Sequence, residues 1–240
     1  MLFRSNAALF QANYDNLQFS NPDWLDTDND GVADTGGSTV VRNAPAAKVR
    51  GLELELEWIR TEFDYIQLTA AFTDAHFDQF SIPDTLFGDL FNPFVSDAAN
   101  TANDPVDLSG NAPPRVPKWK LTATYQHDFI LPSGILTPRI MATLSDHYFL
   151  DIYNRDSLAP GVFDRLPNGG NNLGVQNSFA LLDFGLTYKP YAKNWDIVVY
   201  LNNALNENIK IASGNIITEQ GFVATYLPPR TYGIKVSYSL

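Results

Sequence analysis

PPRTYGIKVSYSL, residues Pro228 to Leu240, ends the chain, and from Tyr232 onward its apolar residues fall on every second position. Tyr232, Ile234, Val236, Tyr238 and Leu240 make one face, and Gly233, Lys235, Ser237 and Ser239 the other. A period of two is that of a strand with one greasy side and one wet side. A soluble chain that ended on such a strand would expose unpaired N–H and C=O groups that invite aggregation. A membrane barrel has no free edge of this kind, because its last strand is paired.

Working back from this strand, seven more segments alternate with the same period. In the first, Ala8, Phe10, Ala12 and Tyr14 share a face opposite Gln11, Asn13 and Asp15. The second is the cleanest: Leu52, Leu54, Leu56 and Trp58 alternate with Glu53, Glu55 and Glu57, a pattern that a helix would smear around its circumference. Ile66 to Phe72, Trp119 to Tyr125, Leu136 to Leu144 and Leu182 to Tyr188 follow, and in the seventh, Trp195 to Leu201, Val198 sits on the otherwise polar face. The links alternate too. They are short around 60–62, 129–134 and 190–194, and long and rich in Asn, Asp, Gly and Pro around 16–48, 74–117, 146–178 and 206–229. In an up-and-down meander this places every short turn at one end and every long loop at the other, the asymmetry of transmembrane barrels. Trp58, Tyr65, Phe129, Tyr188, Tyr191 and Trp195 gather at the short-turn end, where an interfacial aromatic girdle is expected.

Composition bounds the alternatives. The 240 residues contain no cysteine, which removes disulfides and thiolate metal sites. The formal charge of −11 excludes nucleic acid as a partner, since that needs a basic face. No stretch approaches the roughly 20 apolar residues of a membrane helix. The start, MLFRSNAALFQANYDN, has only Leu2 and Phe3 before Arg4 and then alternates, so it is not read as a secretion signal. A chain destined for an outer membrane is therefore expected to be a piece of something longer.

The terminal strand resembles the C-terminal signal of bacterial outer-membrane barrels, with Leu240 in place of the usual final Phe. Four stretches in order, Asn6 to Gln18, Val40 to Trp58 with its Arg-Gly-Leu-Glu-Leu core, Ile197 to Ile209 with Asn-Asn-Ala-Leu-Asn, and Pro228 to Leu240, resemble the C-terminal part of a TonB-dependent receptor, a plugged outer-membrane transporter of about 22 strands. The resemblance implies that residues 1–240 are the C-terminal portion of such a barrel without its plug domain: all-β, antiparallel, up-and-down, transmembrane, about eight strands in an open curved sheet. It implies contact with outer-membrane lipid and, for a complete parent chain, a plug domain, the TonB complex and energised uptake of a small, scarce substrate such as an iron-siderophore, cobalamin or a glycan. The alternatives are a self-contained eight-stranded barrel serving as anchor or adhesin, and an outer-membrane hydrolase.

Three groups of residues invite chemistry. In the first long link, Asp26, Asp28, Asp30 and Asp34 offer oxygen at alternating positions around Gly31, with the Val32 carbonyl as a further ligand, the arrangement of a calcium loop. Gly37 stands where an EF-hand places its bidentate Glu, and the competing reading is a solvated acidic turn. His76 and His147 lie near Asp74 and Asp146 at the long-loop end, with His127 at the other. Neighbours on a strand point to opposite faces, no hydrolase motif is present, and the chain is read as a non-enzyme. Glu53, Glu55, Glu57, Lys118, Lys120, Arg139, Lys189 and Lys235 are expected to share the inward face, paired with one another, with water or with a plug. Phe87, Phe91, Phe94, Tyr148, Phe149, Tyr153 and Phe163 either touch a ligand or pack the loops.

Overall fold

The computed structural model describes residues 1–25, 35–83, 105–152, 154, 174–191, 194–216 and 221–239. The strands in chain order are β1 (Leu2–Leu25), β2 (Thr35–Ile59), β3 (Asp64–Phe77), β4 (Ser81–Pro83), β5 (Pro105–Asp107), β6 (Trp119–His127), β7 (Phe129–Leu131), β8 (Gly134–Ser145), β9 (Tyr148–Phe149), β10 (Val175–Gln176), β11 (Phe179–Pro190), β12 (Trp195–Asn202), β13 (Lys210–Ile216), β14 (Gly221–Tyr226) and β15 (Thr231–Tyr238). Eight of them form one antiparallel meander, β1-β2-β3-β6-β8-β11-β12-β15, in which every strand lies beside its predecessor. The others are short hairpins inside the long links, β4 with β5, β9 with β10 and β13 with β14, while β7 folds back on the start of β8. Among the described residues no ladder joins β1 to β15, so the sheet is open and the self-contained eight-stranded barrel is not formed.

The register decides which side chains share a face, because directly opposed residues project the same way. Leu54 is opposite Ala7 and Ala70, Ala70 opposite Leu121, Leu121 opposite Leu144, and Leu144 opposite Ala180. Continuing across, Leu186 faces Val199, and Val199 faces Ile234. This apolar face is also solvent-exposed: Leu9, Leu54, Leu68, Phe72, Tyr125, Ile140, Leu144, Phe184, Leu186, Val199 and Ile234 all lie on it. A soluble sheet buries its greasy side, whereas a lipid-facing wall leaves it outward. Polar side chains occupy the reverse face, where Glu55 opposes Asn6 and Thr69, and Thr122 opposes Thr143 with hydroxyls 3.3 Å apart.

Toward the long-loop end the two faces exchange polarity. Beyond Leu9, Leu52 and Phe72 the formerly apolar face carries Gln11, Arg50, Asp74, Lys48 and His76. The formerly polar face carries Phe10, Val49, Ala47, Ala75 and Phe77 instead. Ala47 and Phe77 enter a small core with Ala44, Phe80, Leu108 and Ile152, with Leu17 against it and Phe77 and Phe80 tilted ring to ring at 4.9 Å. The strands thus leave the lipid and continue as the walls of a loop plateau with its own buried side.

This exchange corrects two expectations. The link at 16–48 is largely strand, because β1 runs to Leu25 and β2 starts at Thr35, with Leu25 opposite Thr35. The Asn, Asp, Gly and Pro that read as a link thus lie largely within two paired strands. The face made by Ala8, Phe10, Ala12 and Tyr14 is that of Glu53, since Ala8 opposes Glu53 and Phe10 opposes Gly51; Phe3, Ala7 and Leu9 supply the lipid-facing side. The aromatic girdle also changes membership. Tyr65 points to the polar face, where its hydroxyl donates to Glu57 Oε1 at 3.3 Å. Tyr125 takes its place on the apolar face, and Tyr188 and Trp195 lie 6.1 Å apart as expected.

Candidate functional site

The polar face forms a wall whose carboxylates are partly paired. Arg4 meets Glu57 at 3.1 Å, and the Asn6 amide donates to Glu55 at 3.2 Å. Asn6, Glu53, Glu55, Thr69, Lys120 and Thr122 line a shallow concavity of about 510 Å³ at mid-wall. Arg139, Lys189 and Lys235 share this face by register, as the alternation predicts. Charges on the inner side of a wide barrel keep their water or find partners in whatever fills it, which avoids the desolvation of a closed core.

Two of the sequence motifs are structural locks at the long-loop end of this wall. Arg50 places Nε and Nη2 on Asp74 Oδ2, at 2.8 and 2.7 Å, and Lys48 meets Asp78 at 2.6 Å. The Asn-Asn-Ala-Leu-Asn stretch turns on Asn203, which is buried with a left-handed φ of 50°. Its backbone N–H donates to Asp183 Oδ1 at 2.7 Å, its amide nitrogen to the carbonyls of Glu207 and Pro228, and its amide oxygen accepts from the Glu207 N–H. Asn206, also left-handed, accepts from the Arg230 N–H. One buried side chain and one turn therefore tie β11, β12 and the entry to β15 together, with the buried polar groups satisfied.

The long links knit into one plateau. Phe77 N–H donates to Asn111 O, the Asn111 amide to Ile152 O, and Asn154 exchanges both amide bonds with Ala112. Arg115 N–H donates to Phe149 O, the Tyr148 hydroxyl to Lys210 O, and Lys210 N–H to Gln176 Oε1. Burial pushes the Tyr148 hydroxyl above the usual tyrosine range, against the opposing pull of Arg115, and lowers the Lys210 ammonium. Tyr148 packs edge-on against Phe179 at 6.4 Å and Phe149 against His147 at 5.9 Å, so these two aromatics hold the plateau together. Phe87, Phe91, Phe94, Tyr153 and Phe163 lie outside the described residues, as does the calcium-type loop Asp26, Asp28, Asp30, Val32 and Asp34.

Each histidine stands beside an aspartate. His147 Nδ1 is 3.0 Å from Asp146 Oδ1, which the alternation rule had set apart; β8 ends at Ser145, so strand geometry no longer holds there. The same carboxylate oxygen accepts from the His147 N–H and the Ser178 hydroxyl. Burial raises the Asp146 carboxyl, but these three bonds outweigh it and hold it below the usual aspartate range. Ser178 donates to the aspartate and not to the imidazole, so the group lacks the order of a nucleophilic triad. At the opposite end Asp64 gathers Thr61 Oγ1, Tyr125 Oη and His127 Nδ1 within 2.6–2.8 Å, an arrangement hidden in the sequence by the 63-position separation of Asp64 and His127. His76 is 3.7 Å from Asp74.

A lipid-ready outer face, a polar inner wall, tight turns at one end and a plateau at the other define part of the wall of a membrane-spanning β-barrel. The sequence profile of the family described as "TonB dependent receptor-like, beta-barrel" matches residues 2–204, and the chain belongs to that family. No curated protein sequence matches it. Similar solved structures include the siderophore receptor PiuA from Acinetobacter baumannii (18% identity, TM-score 0.58, covering 98% of this chain and 25% of that one). They also include the ferric yersiniabactin uptake receptor FyuA from Yersinia pestis (15%, 0.59, 98% and 34%) and the FrpB iron transporter from Neisseria meningitidis (20%, 0.54, 98% and 29%). The chain spans a quarter to about a third of the length of these structures.

Proposed function

We propose that the chain is the C-terminal wall of an outer-membrane receptor that takes up a scarce small molecule, with a plug domain against the polar face and energy supplied through TonB. The observation that carries the reading is the exchange of polarity along β1–β3, which marks the lipid boundary and puts a separate, cross-braced plateau beyond it. On this reading the plateau carries the ligand-binding mouth, and the mid-wall carboxylates meet a plug. The likeness to a siderophore receptor, a ferric yersiniabactin uptake receptor and an iron transporter favours an iron chelate over cobalamin or a glycan as substrate. No catalytic role is proposed. The test is uptake of radiolabelled iron chelates by cells expressing or lacking the full-length parent: loss of one chelate, repeated in a TonB-deficient strain, supports the reading, and unchanged uptake of a full chelate, cobalamin and glycan panel overturns it.

For the link carrying Asp26, Asp28, Asp30, Val32 and Asp34 we propose Ca²⁺ as ligand, on its residue pattern and on the pairing of Leu25 with Thr35, which brings the two ends of that link together.

A further inference from the structure

Gly51 and Gly233 each sit beneath the ring of a directly opposed residue, Phe10 and Tyr200, which accounts for a missing side chain inside a strand. Gly185 in β11 has no such cover. A Cβ added there would meet one atom within 4 Å, Arg139 Cβ at 3.9 Å, because Tyr200 on its other side leans onto Gly233. The ladders from β11 to β8 and β12 run through Gly185 without a bulge, and its φ is not left-handed. A glycine weakens a regular strand, and where no bulge or bend requires it the remaining cause is the close approach of another backbone or a ligand.

The row Arg139, Gly185 and Tyr200 faces inward, two rows toward the short turns from Thr122 and Thr143 and away from the plateau. Arg139, Lys189 and Lys235 stand on this part of the face against Asp183 and Asp196. The ion pairs among the described residues engage Arg4, Lys48, Arg50 and the three histidines, and none of these five. Asp183 is held by the Asn203 N–H at 2.7 Å, and Arg139 has a weak contact of 3.8 Å from Nη2 to Met141 Sδ. In a chain of net charge −11 this is a local excess of cations around a bare stretch of backbone.

We infer that Gly185 marks the point where an acidic loop of the plug domain meets the wall, its backbone packed on the glycine and a carboxylate side chain on Arg139. The inference rests on the reading of the polar face as the wall against a plug, proposed above. Charge complementarity selects the loop. A guanidinium takes a carboxylate through two parallel N–H bonds, and Lys189 and Lys235 on neighbouring strands extend the attraction. A basic loop would be repelled by the three cations, and an apolar one would cover Arg139 without a partner.

Carbodiimide joins an ammonium to a carboxylate in contact with it, so treatment of the full-length receptor carrying Arg139→Lys, followed by peptide mapping, tests the contact. An amide from position 139 to an Asp or Glu of the plug is expected. Adding Gly185→Phe is expected to lower its yield about tenfold, the effect of overfilling a packed contact, while heat-modifiable migration reports that the barrel is intact. Gly185→Ala, which has room among the wall's own atoms, guards against a folding defect: it is expected to lower the yield by less and to leave the urea midpoint unchanged. An amide only to carboxylates within residues 1–240, no amide at all, or a yield indifferent to both Gly185 variants overturns the inference. A benzophenone side chain in place of Thr69, on the same face at mid-wall, separates the two levels. Capture of the plug at 69 without an amide at 139 removes the acidic contact alone, and capture at neither removes the plug reading with it.

Discussion

Phe10 lies over Gly51, its directly opposed partner: a Cβ on Gly51 would stand 2.7 Å from Phe10 Cζ and 2.5 Å from the Phe72 carbonyl oxygen. The glycine of the Arg-Gly-Leu-Glu-Leu motif is therefore a packing requirement. Gly233 sits under Tyr200 in the same way, but there the obstacle is the end of a side chain that can move, and at Gly185 the nearest atom is 3.9 Å away. Alanine at the three sites should rank accordingly. Gly51→Ala is expected to destabilise by about 1–3 kcal/mol, Gly233→Ala by less, and Gly185→Ala to be close to neutral in urea titrations of the vesicle-folded receptor. Equal effects at the three positions would contradict the cross-strand packing.

Asn203→Ala removes an amide that bridges Glu207 and Pro228 and leaves their backbone groups without those partners. Glu207 and Pro228 are exposed, so each lost bond is expected to cost about 0.5–1.5 kcal/mol. Hydrogen–deuterium exchange should rise in 202–209 and 228–231 and stay unchanged in β1–β3; a uniform rise would indicate global loosening and no local lock.

Asp146 has a depressed carboxyl, so its contribution to stability is present above the unfolded aspartate value of about 4 and is lost as pH falls below that toward its folded value. Amide exchange in the β9–β10 hairpin is expected to accelerate on acidification below pH ~4 in wild type, beyond the intrinsic pH dependence of exchange. Asp146→Asn should flatten that dependence. A profile identical in both proteins would remove Asp146 as its source.

Calcium titration into the full chain, followed calorimetrically, is expected to show one saturable site that Asp28→Ala with Asp30→Ala abolishes. Superimposable curves for the two proteins would leave an acidic turn.

Much of the sheet was legible because a lipid-facing strand obeys a strict period of two, and the alternation of short and long links fixes the meander. What misled was the assumption that one face keeps one polarity. Phe10, Ala12 and Tyr14 are apolar because they sit above the lipid, next to the plateau's buried side, and the Asn, Asp, Gly and Pro of 17–25 and 35–47 made paired strand read as a loop. Pairings between distant positions, Asp64 with His127 and Asn154 with Ala112, leave no local pattern. Asn203 is different, since three asparagines in five residues at a strand end signal left-handed turns and side-chain caps.

The central claim is that the face of Leu54 and Leu68 meets lipid while that of Thr69 does not. Arginine at Leu54 or Leu68 should destabilise the folded receptor by ~2–4 kcal/mol if it lies near the midplane, with Thr69→Arg near neutral. The most direct measurement uses the absence of cysteine from residues 1–240, with any cysteine elsewhere in the receptor replaced by serine. Single Leu68→Cys and Thr69→Cys variants of the full-length receptor carry a fluorophore in vesicles of brominated lipid. Strong quenching at 68 and little at 69 is the predicted result, and equal quenching at the two neighbouring positions would contradict the account.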